Sequence, residues 1–144
     1  MAGGLALLSS ESDISIGKDA AVTAEESLKL NSLSEVRAIV GASTAAIKLR
    51  PSGGGKVPSI ATAYVETGSN ANITVDGKLS SKETDIGAKS TNKIEAAVDS
   101  GTQIDNSKVG LAVLVTDGKN KSSVKIGKDA EIISRGEMSI TSKA

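Results

Sequence analysis

The sequence predicts an all-β chain wound as a parallel β-helix, a solenoid with loop or hairpin excursions leaving its column. Three observations carry that expectation. The stretch Ile14-Ser15-Ile16-Gly17-Lys18-Asp19-Ala20-Ala21-Val22 returns almost residue for residue as Val124-Lys125-Ile126-Gly127-Lys128-Asp129-Ala130-Glu131-Ile132, and Ile73-Thr74-Val75-Asp76-Gly77-Lys78-Leu79 is a shorter copy between them. Apolar residues alternate with polar ones at period two, the signature of strands with one buried face. The 144 residues contain no Phe, Trp, Cys or His and one Tyr, Tyr64. A core without aromatics must come from Ile, Val, Leu and Ala, which suits aliphatic ladders stacked coil on coil.

Composition removes several classes of function. With no Cys there are no disulfides or thiolate metal sites. Basic and acidic residues balance at 17 each, so neither a nucleic-acid backbone nor an anionic membrane is an expected partner. No apolar run approaches the ~20 residues that span a bilayer, so membrane insertion is not expected. Leu5-Ala6-Leu7-Leu8 is too short for the core of a signal peptide and has no basic residue before it.

Residues 1–12 read as a leader, and the repeat region as 13–144. Its units run 14–72, 73–123 and, in part, 124–144. Leu28, Ile86 and Met138 line up across the units, as do Ser32, Ser90 and Ser142. Val36 to Val40 corresponds to Ile94 to Val98, and Ala63 to Gly68 corresponds to Val113 to Gly118. Within a unit, Ile14/Ile16, Ala20/Val22/Ala24 and Leu28/Leu30/Ser32 alternate as strands, and so do Val124/Ile126, Ala130/Ile132 and Met138/Ile140/Ser142. Corners carry Gly-Lys-Asp, Glu-Glu-Ser, Asp-Gly-Lys or Arg-Gly-Glu, residues that accept turn and left-handed conformations. Three strands of about four to six residues with their corners make a coil of roughly 20 residues.

The segment Ser34 to Ala46 is ambiguous between strand and helix, because Val36, Ile39 and Val40 fit either period. Strand is the better reading there. A unit longer than two such coils implies an excursion, placed at Ala45 to Glu66. There Ala46 to Arg50 and Ser59 to Val65 read as strands around the exposed loop Pro51-Ser52-Gly53-Gly54-Gly55-Lys56-Val57-Pro58. The second unit has a shorter connection, Gln103 to Lys108, in its place.

The pattern [Ile/Val]-x-Ile-Gly-Lys-Asp-Ala-x-[Val/Ile], a corner, then [Leu/Met]-x-[Leu/Ile]-x-Ser resembles the filamentous-haemagglutinin-like adhesins exported by two-partner secretion, including the leukotoxin-like filamentous adhesins. The run from Gly110 through Lys128-Asp129-Ala130 to Ile140 is the closest part. The resemblance covers most of residues 13 to 144 and rests on degenerate repeats. It implies a right-handed parallel β-helix in the rod of a large exported bacterial exoprotein, secreted or held at the cell surface. It also implies adhesion to host or bacterial surface glycans or proteins. The secretion domain of that family has its own signature, which this chain lacks.

Candidate chemistry is thin. Gly53-Gly54-Gly55-Lys56 is followed by Val57 and Pro58 and lacks the first Gly of a P-loop, so it reads as a loop tip. Serine nucleophiles have no histidine base, and polar strand faces and turns account for the serines. The carboxylates Asp13, Asp19, Asp129, Glu131 and the pair Glu25-Glu26 recur at repeat corners, where Asp supports turns. A sugar-cleaving cleft needs paired carboxylates and stacking rings that a single Tyr supplies poorly. Neither corner matches a calcium-binding nonapeptide, and no metal or other cofactor is expected. Asn72-Ile73-Thr74 and Asn120-Lys121-Ser122 fit the glycosylation triplet and read as strand and turn residues. Thr23, Thr74 and Thr141 do not share one column, as an ice-binding face would require.

The expected function is therefore a non-catalytic structural rod segment of a bacterial filamentous adhesin. The rivals are a self-assembling solenoid fibre subunit, associating end to end, and a β-helical polysaccharide-active enzyme. If a ligand is bound, the excursion carrying Arg50, Lys56 and Tyr64 is the place expected for it.

Overall fold

Alternating aliphatics separated by small polar corners fold here into strands that return to the same sheet once per repeat. The computed structural model describes residues 1–43, 59–100 and 110–144. Nine strands follow in order: β1 (Ala2–Ile16), β2 (Ala21–Thr23), β3 (Ser27–Ser43), β4 (Ser59–Val75), β5 (Lys78–Ser81), β6 (Glu83–Asp99), β7 (Gly110–Ile126), β8 (Glu131–Ser134) and β9 (Met138–Lys143). They make three sheets ordered β1-β4-β7, β2-β5-β8 and β3-β6-β9. Each sheet takes one strand from each circuit, and the neighbours run parallel. The chain is an all-β parallel β-helix of three coils, with no helix among the described residues.

Each repeat is one coil, not two. The expected strands of four to six residues and coils of roughly 20 are too short, because β3, β4, β6 and β7 each run for 17 residues. The segment from Ser34 that also fits a helical period continues β3 as far as Ser43. Ser59 to Glu66, placed in an excursion by the sequence, belongs to β4 in the main sheet. The expected strand at 46–50, the loop at 51–58 and the connection at 103–108 lie outside the described residues. β1 starts at Ala2, so the segment read as a leader is part of the first long strand.

The described chain divides into two compact units, and β1, β3, β4, β6 and β7 contribute to both. One comprises Ser9–Val36, Gly68–Asn92 and Lys119–Ala144. Its core is Leu28, Ala71, Ile73, Val75, Leu79, Ile86 and Ala88, flanked by Ile14, Ile16, Val22, Val124 and Ile132. Val22, Leu79 and Ile132 form a single column in the sheet of short strands. The other unit comprises Met1–Leu8, Arg37–Thr67 and Lys93–Gly118. Its buried side chains are smaller: Ala38, Ala42, Ala61, Ala63 and Val65.

Corner length sets the register. In the first coil Ala20 N–H closes a turn on Gly17 C=O at 2.9 Å, and in the third Ala130 N–H does the same on Gly127 at 3.2 Å. The middle coil makes the same corner with only Asp76 and Gly77. Asp76 N–H donates to Ile16 C=O, and Lys78 N–H to Ala20 C=O, both at 2.8 Å. The corners are turns, as their residues allow, and no described residue, glycine or otherwise, has a positive φ, so the left-handed conformations those residues also accept are not used. Gly77 is required by close approach instead: a Cβ there would meet the carbonyl oxygens of Gly17 and Ala20.

The second corner shifts the register again. Ser81 and Ser134 pair, yet Thr84 pairs with Met138, because Arg135-Gly136-Glu137 is one residue longer than Lys82-Glu83. Met138 therefore stands beside Thr84 and not Ile86, whose partner is Ile140; Ser142 stands beside Ala88 and not Ser90. The expected alignment of β9 is wrong by two residues. Two residues is one full side-chain period, so the same faces still point inward.

The interior is not purely aliphatic, contrary to the sequence expectation. Ser32, Ser34, Ser69, Ser81 and Ser90 are buried. Ser32 donates across the interior to the Ser12 carbonyl at 2.6 Å, and Ser90 to the Ser69 carbonyl at 2.6 Å. In the third coil Ser122 and Ser142 hydroxyls are 2.8 Å apart. Each coil thus has a serine bridge joining its outgoing long strand to its returning one, and the first coil has a second, from Ser34 to the Ser10 carbonyl. Serine suits this place because the hydrogen bond to a carbonyl offsets the cost of taking its hydroxyl out of water.

Candidate functional site

Outer strand faces hold two kinds of surface: polar columns that run from coil to coil, and an apolar face. In the column at Asn72, its amide donates to Asp13 Oδ1 at 2.9 Å, and its carbonyl accepts from the Ser123 hydroxyl at 2.7 Å. Lys82 pairs with Glu26 at 3.1 Å, and Lys78 with Glu131 at 2.8 Å. The Glu131 carboxylate raises the Lys78 pKa, first through their hydrogen bond and then through charge attraction. In the other unit Glu95 lies 2.9 Å from Lys93 and 3.1 Å from Arg37. The hydrogen bond from Lys93, then that from Arg37, hold the Glu95 carboxyl below its usual range.

These contacts disperse the carboxylates that might have formed a cleft. Asp13 bonds Asn72, Glu26 pairs with Lys82, Glu131 with Lys78, and Asp129 lies 3.9 Å from its neighbour Lys128. Asp19 and Glu25 stand at separate corners. A different group of carboxylates, Glu83, Asp85 and Glu137, lines a shallow depression of about 290 Å³ together with Lys29. Its walls have no ring on which a sugar could stack. Among the described residues, no three His, Cys, Asp or Glu side chains are grouped to hold a metal ion.

Of the three residues expected at a ligand site, Arg50 and Lys56 lie outside the described residues. Tyr64 is on the outer face of β4, 39% exposed, and its hydroxyl donates to Glu66 Oε2 at 3.2 Å. The 59-residue step between Asp13 and Asn72 also brings Gly3 within van der Waals reach of Thr62, and two residues further on it sets Leu5 beside Tyr64. Leu5 and Leu7 are exposed there. In the same unit Leu111, Val113 and Val115 of β7 are exposed as well. Tyr64 therefore belongs to an apolar outer face.

No family model, curated protein or solved structure matches the chain. Its candidate site must be judged on its own chemistry. The exposed side chains here are mainly Leu and Val, with Tyr64 and its hydrogen-bonded Glu66 as the polar groups. They offer apolar area, one ring and one phenolic hydroxyl beside a carboxylate, which is a docking chemistry. Sequence reading missed Leu5 and Leu7 by setting them aside as leader. The signal for the rest was present in Leu111-Ala112-Val113-Leu114-Val115, where alternation disappears because both faces are apolar.

Proposed function

We propose that the chain is a structural, non-catalytic segment of a secreted, surface-associated bacterial filamentous adhesin or exoprotein. Its coils hold an outer apolar face up to a partner on a host or bacterial surface. The observation that carries this reading is where the specific polar contacts go. Asp13–Asn72–Ser123, Glu26–Lys82, Lys78–Glu131 and Arg37–Glu95 all link neighbouring coils. A catalytic site gathers such groups around a point; this chain spends them along columns, as a scaffold does.

The resemblance of its repeats to filamentous adhesins supports the same reading and supplies the expected surface location. The test is binding of the purified chain to epithelial cells, extracellular-matrix proteins and bacterial cells. Saturable binding that falls when Leu5 and Tyr64 are both changed to Ser is the expected result. Absence of binding to all three would overturn the adhesin reading. Release of reducing ends from acidic or neutral polysaccharides would replace it with the enzyme reading.

A further inference from the structure

One pair of charges breaks the pattern of the outer faces in the unit made of Ser9–Val36, Gly68–Asn92 and Lys119–Ala144. Elsewhere in it, neighbouring coils set opposite charges together, as in Lys82–Glu26 and Lys78–Glu131. In the sheet β3-β6-β9, however, Lys89 of the middle coil pairs with Lys143 of the third. Both are exposed, while Ala88 and Ser90 on either side of Lys89 are buried, so the two ammonium groups share the outer face. On adjacent strands their Cα atoms stand about 4.8 Å apart. Like charges so placed repel each other and destabilise a sheet. Neither lysine makes an ion pair among the described residues.

Lys89 finds no relief on its other side. Gly87 lies between Asn31 of the first coil and Thr141 of the third, so the first-coil neighbour of Lys89 is Leu33, an exposed apolar residue. Along β6 the next outward residues are Gly87 and Thr91, both uncharged. Aligned by sequence, with Ser142 opposite Ser90, Lys143 would stand beside Thr91; the observed register puts it beside Lys89 instead. The surface next to the pair is also bare. A Cβ on Gly87 would lie 3.2 Å from Asn31 Oδ1 and 3.3 Å from Thr141 Oγ1, so these two side chains flank exposed backbone. Two ammonium groups, a hydroxyl and a carboxamide therefore surround a gap that no side chain fills.

We infer that Lys89, Lys143, Thr141 and Asn31 form a binding site for a sulfate or phosphate ester carried on a surface glycan. Such an ester has three terminal oxygens, enough to accept from both ammonium groups and from the Thr141 hydroxyl or the Asn31 amide. A carboxylate has two and reaches fewer of these donors. An anion seated here turns the repulsion between the lysines into a shared attraction, which accounts for a pairing that costs stability without it. A glycan is favoured over a nucleic acid because this unit has no ring on which a base could stack; the one ring of the chain, Tyr64, belongs to the other unit. The site lies on the outer face, so a further strand beside β9 would lengthen the sheet and leave it open.

The source of the ligand rests on the surface-associated reading above; the contact itself is tested without cells. Dextran, dextran sulfate, dextran phosphate and carboxymethyl-dextran share one backbone and differ in the group they carry. Titrated into the whole chain and followed by calorimetry, the sulfate or the phosphate polymer should bind, the tighter of the two identifying the ester. Neutral dextran should not bind, and carboxymethyl-dextran should bind about fivefold or more weakly. Lys89→Gln with Lys143→Gln should raise the Kd about tenfold or more. Because that variant removes a repulsion, its melting temperature should equal or exceed that of wild type. Lys121→Gln with Lys125→Gln makes the same change of charge on exposed positions of β7 and should leave the Kd within about twofold. Absence of binding to both ester polymers overturns the inference, as do equal binding of carboxymethyl-dextran, equal effects of the two variants, or a lower melting temperature for the first. Duplex DNA bound as tightly as the ester polymers would replace the glycan with a nucleic acid. Cell binding through Leu5 and Tyr64 is a separate measurement, so its loss with ester binding intact would sink the adhesin reading alone.

Discussion

Ser69 and Ser34, 35 residues apart in sequence, meet inside the β-helix. The Ser69 hydroxyl donates to the Ser34 carbonyl oxygen at 2.9 Å and lies 2.8 Å from the Ser34 hydroxyl. Ser34 in turn donates to the Ser10 carbonyl at 3.0 Å. The pair links the middle coil to the first across the interior. Its removal should be felt by the whole unit. Ser69→Ala is expected to cost about 1–3 kcal/mol in urea unfolding, the range for a buried polar group left short of a partner. An unchanged midpoint would mean that the serine bridges contribute nothing.

Gly77 and Gly17 occupy matching corners and should respond differently to a methyl group. At Gly77 the added Cβ collides with two carbonyl oxygens of the coil above, backbone atoms that cannot rotate away. Gly77→Ala should destabilise by about 1–3 kcal/mol. Nothing lies within 4 Å of the Cβ position at Gly17, and Gly17→Ala should be neutral or stabilise by up to about 1 kcal/mol. Equal effects at the two sites would show that the coils are not in the register described.

In the sheet of short strands, Leu79 is 1% exposed between Val22 and Ile132. Leu79→Ala should cost about 2–5 kcal/mol, the span for buried aliphatic truncations. Ile133, next to Ile132 but exposed, should cost no more than about 1 kcal/mol when changed to Ala. Thermal melts of the two variants read the contrast directly.

Glu95 gives a pH signature. Its carboxyl is held low in the folded chain by Lys93 and Arg37. A depressed folded value means that its contribution to stability is present above the unfolded pKa, near the ordinary 4.5, and is lost as the pH falls through the folded value. Carbon-detected NMR titration should place Glu95 below 4.5 and move it upward in Arg37→Gln. Lys78 behaves in the opposite sense: raised by Glu131, it contributes below its ordinary 10.5 and loses that contribution as the pH rises through the folded value. A Glu95 titration indifferent to Arg37 would remove this ion pair from the solution structure.

Much of the fold was legible because the corners are. The two Gly-Lys-Asp-Ala copies, 17–20 and 127–130, make the same hydrogen-bonded turn, and the shorter Asp76-Gly77 copy is the same corner with two residues fewer. Strand length was not legible, since Ser32, Ser34, Ser69 and Ser90 interrupt the apolar alternation while staying inside. Read as polar, they cut one long strand into two short ones. The ambiguity after Ser34 has a comparable cause. Val36, Ala38 and Ala42 point inward as a strand requires, but Ile39 on the outer face, 67% exposed, gives the stretch a helical look. The alignment of β9 failed at Arg135-Gly136-Glu137, because a corner one residue longer leaves no trace in hydropathy. Of the candidate site, Tyr64 was named as part of an excursion, whereas it lies within β4. Its apolar neighbour Leu5 was missed because the two come together only when coils stack.

Changes in corner length are absorbed where they occur. The middle coil makes its first corner two residues shorter than its neighbours, and the third coil makes its second corner one residue longer, without turning any strand over. A residue lost within β4 would invert every side chain downstream of it in that strand. Foreign peptides should therefore be tolerated at 17–20, 127–130 or 135–137 and rejected between Ala61 and Val75. Such a scaffold can be re-lettered at its bends, giving it room to acquire new epitopes while its interior goes unrevised.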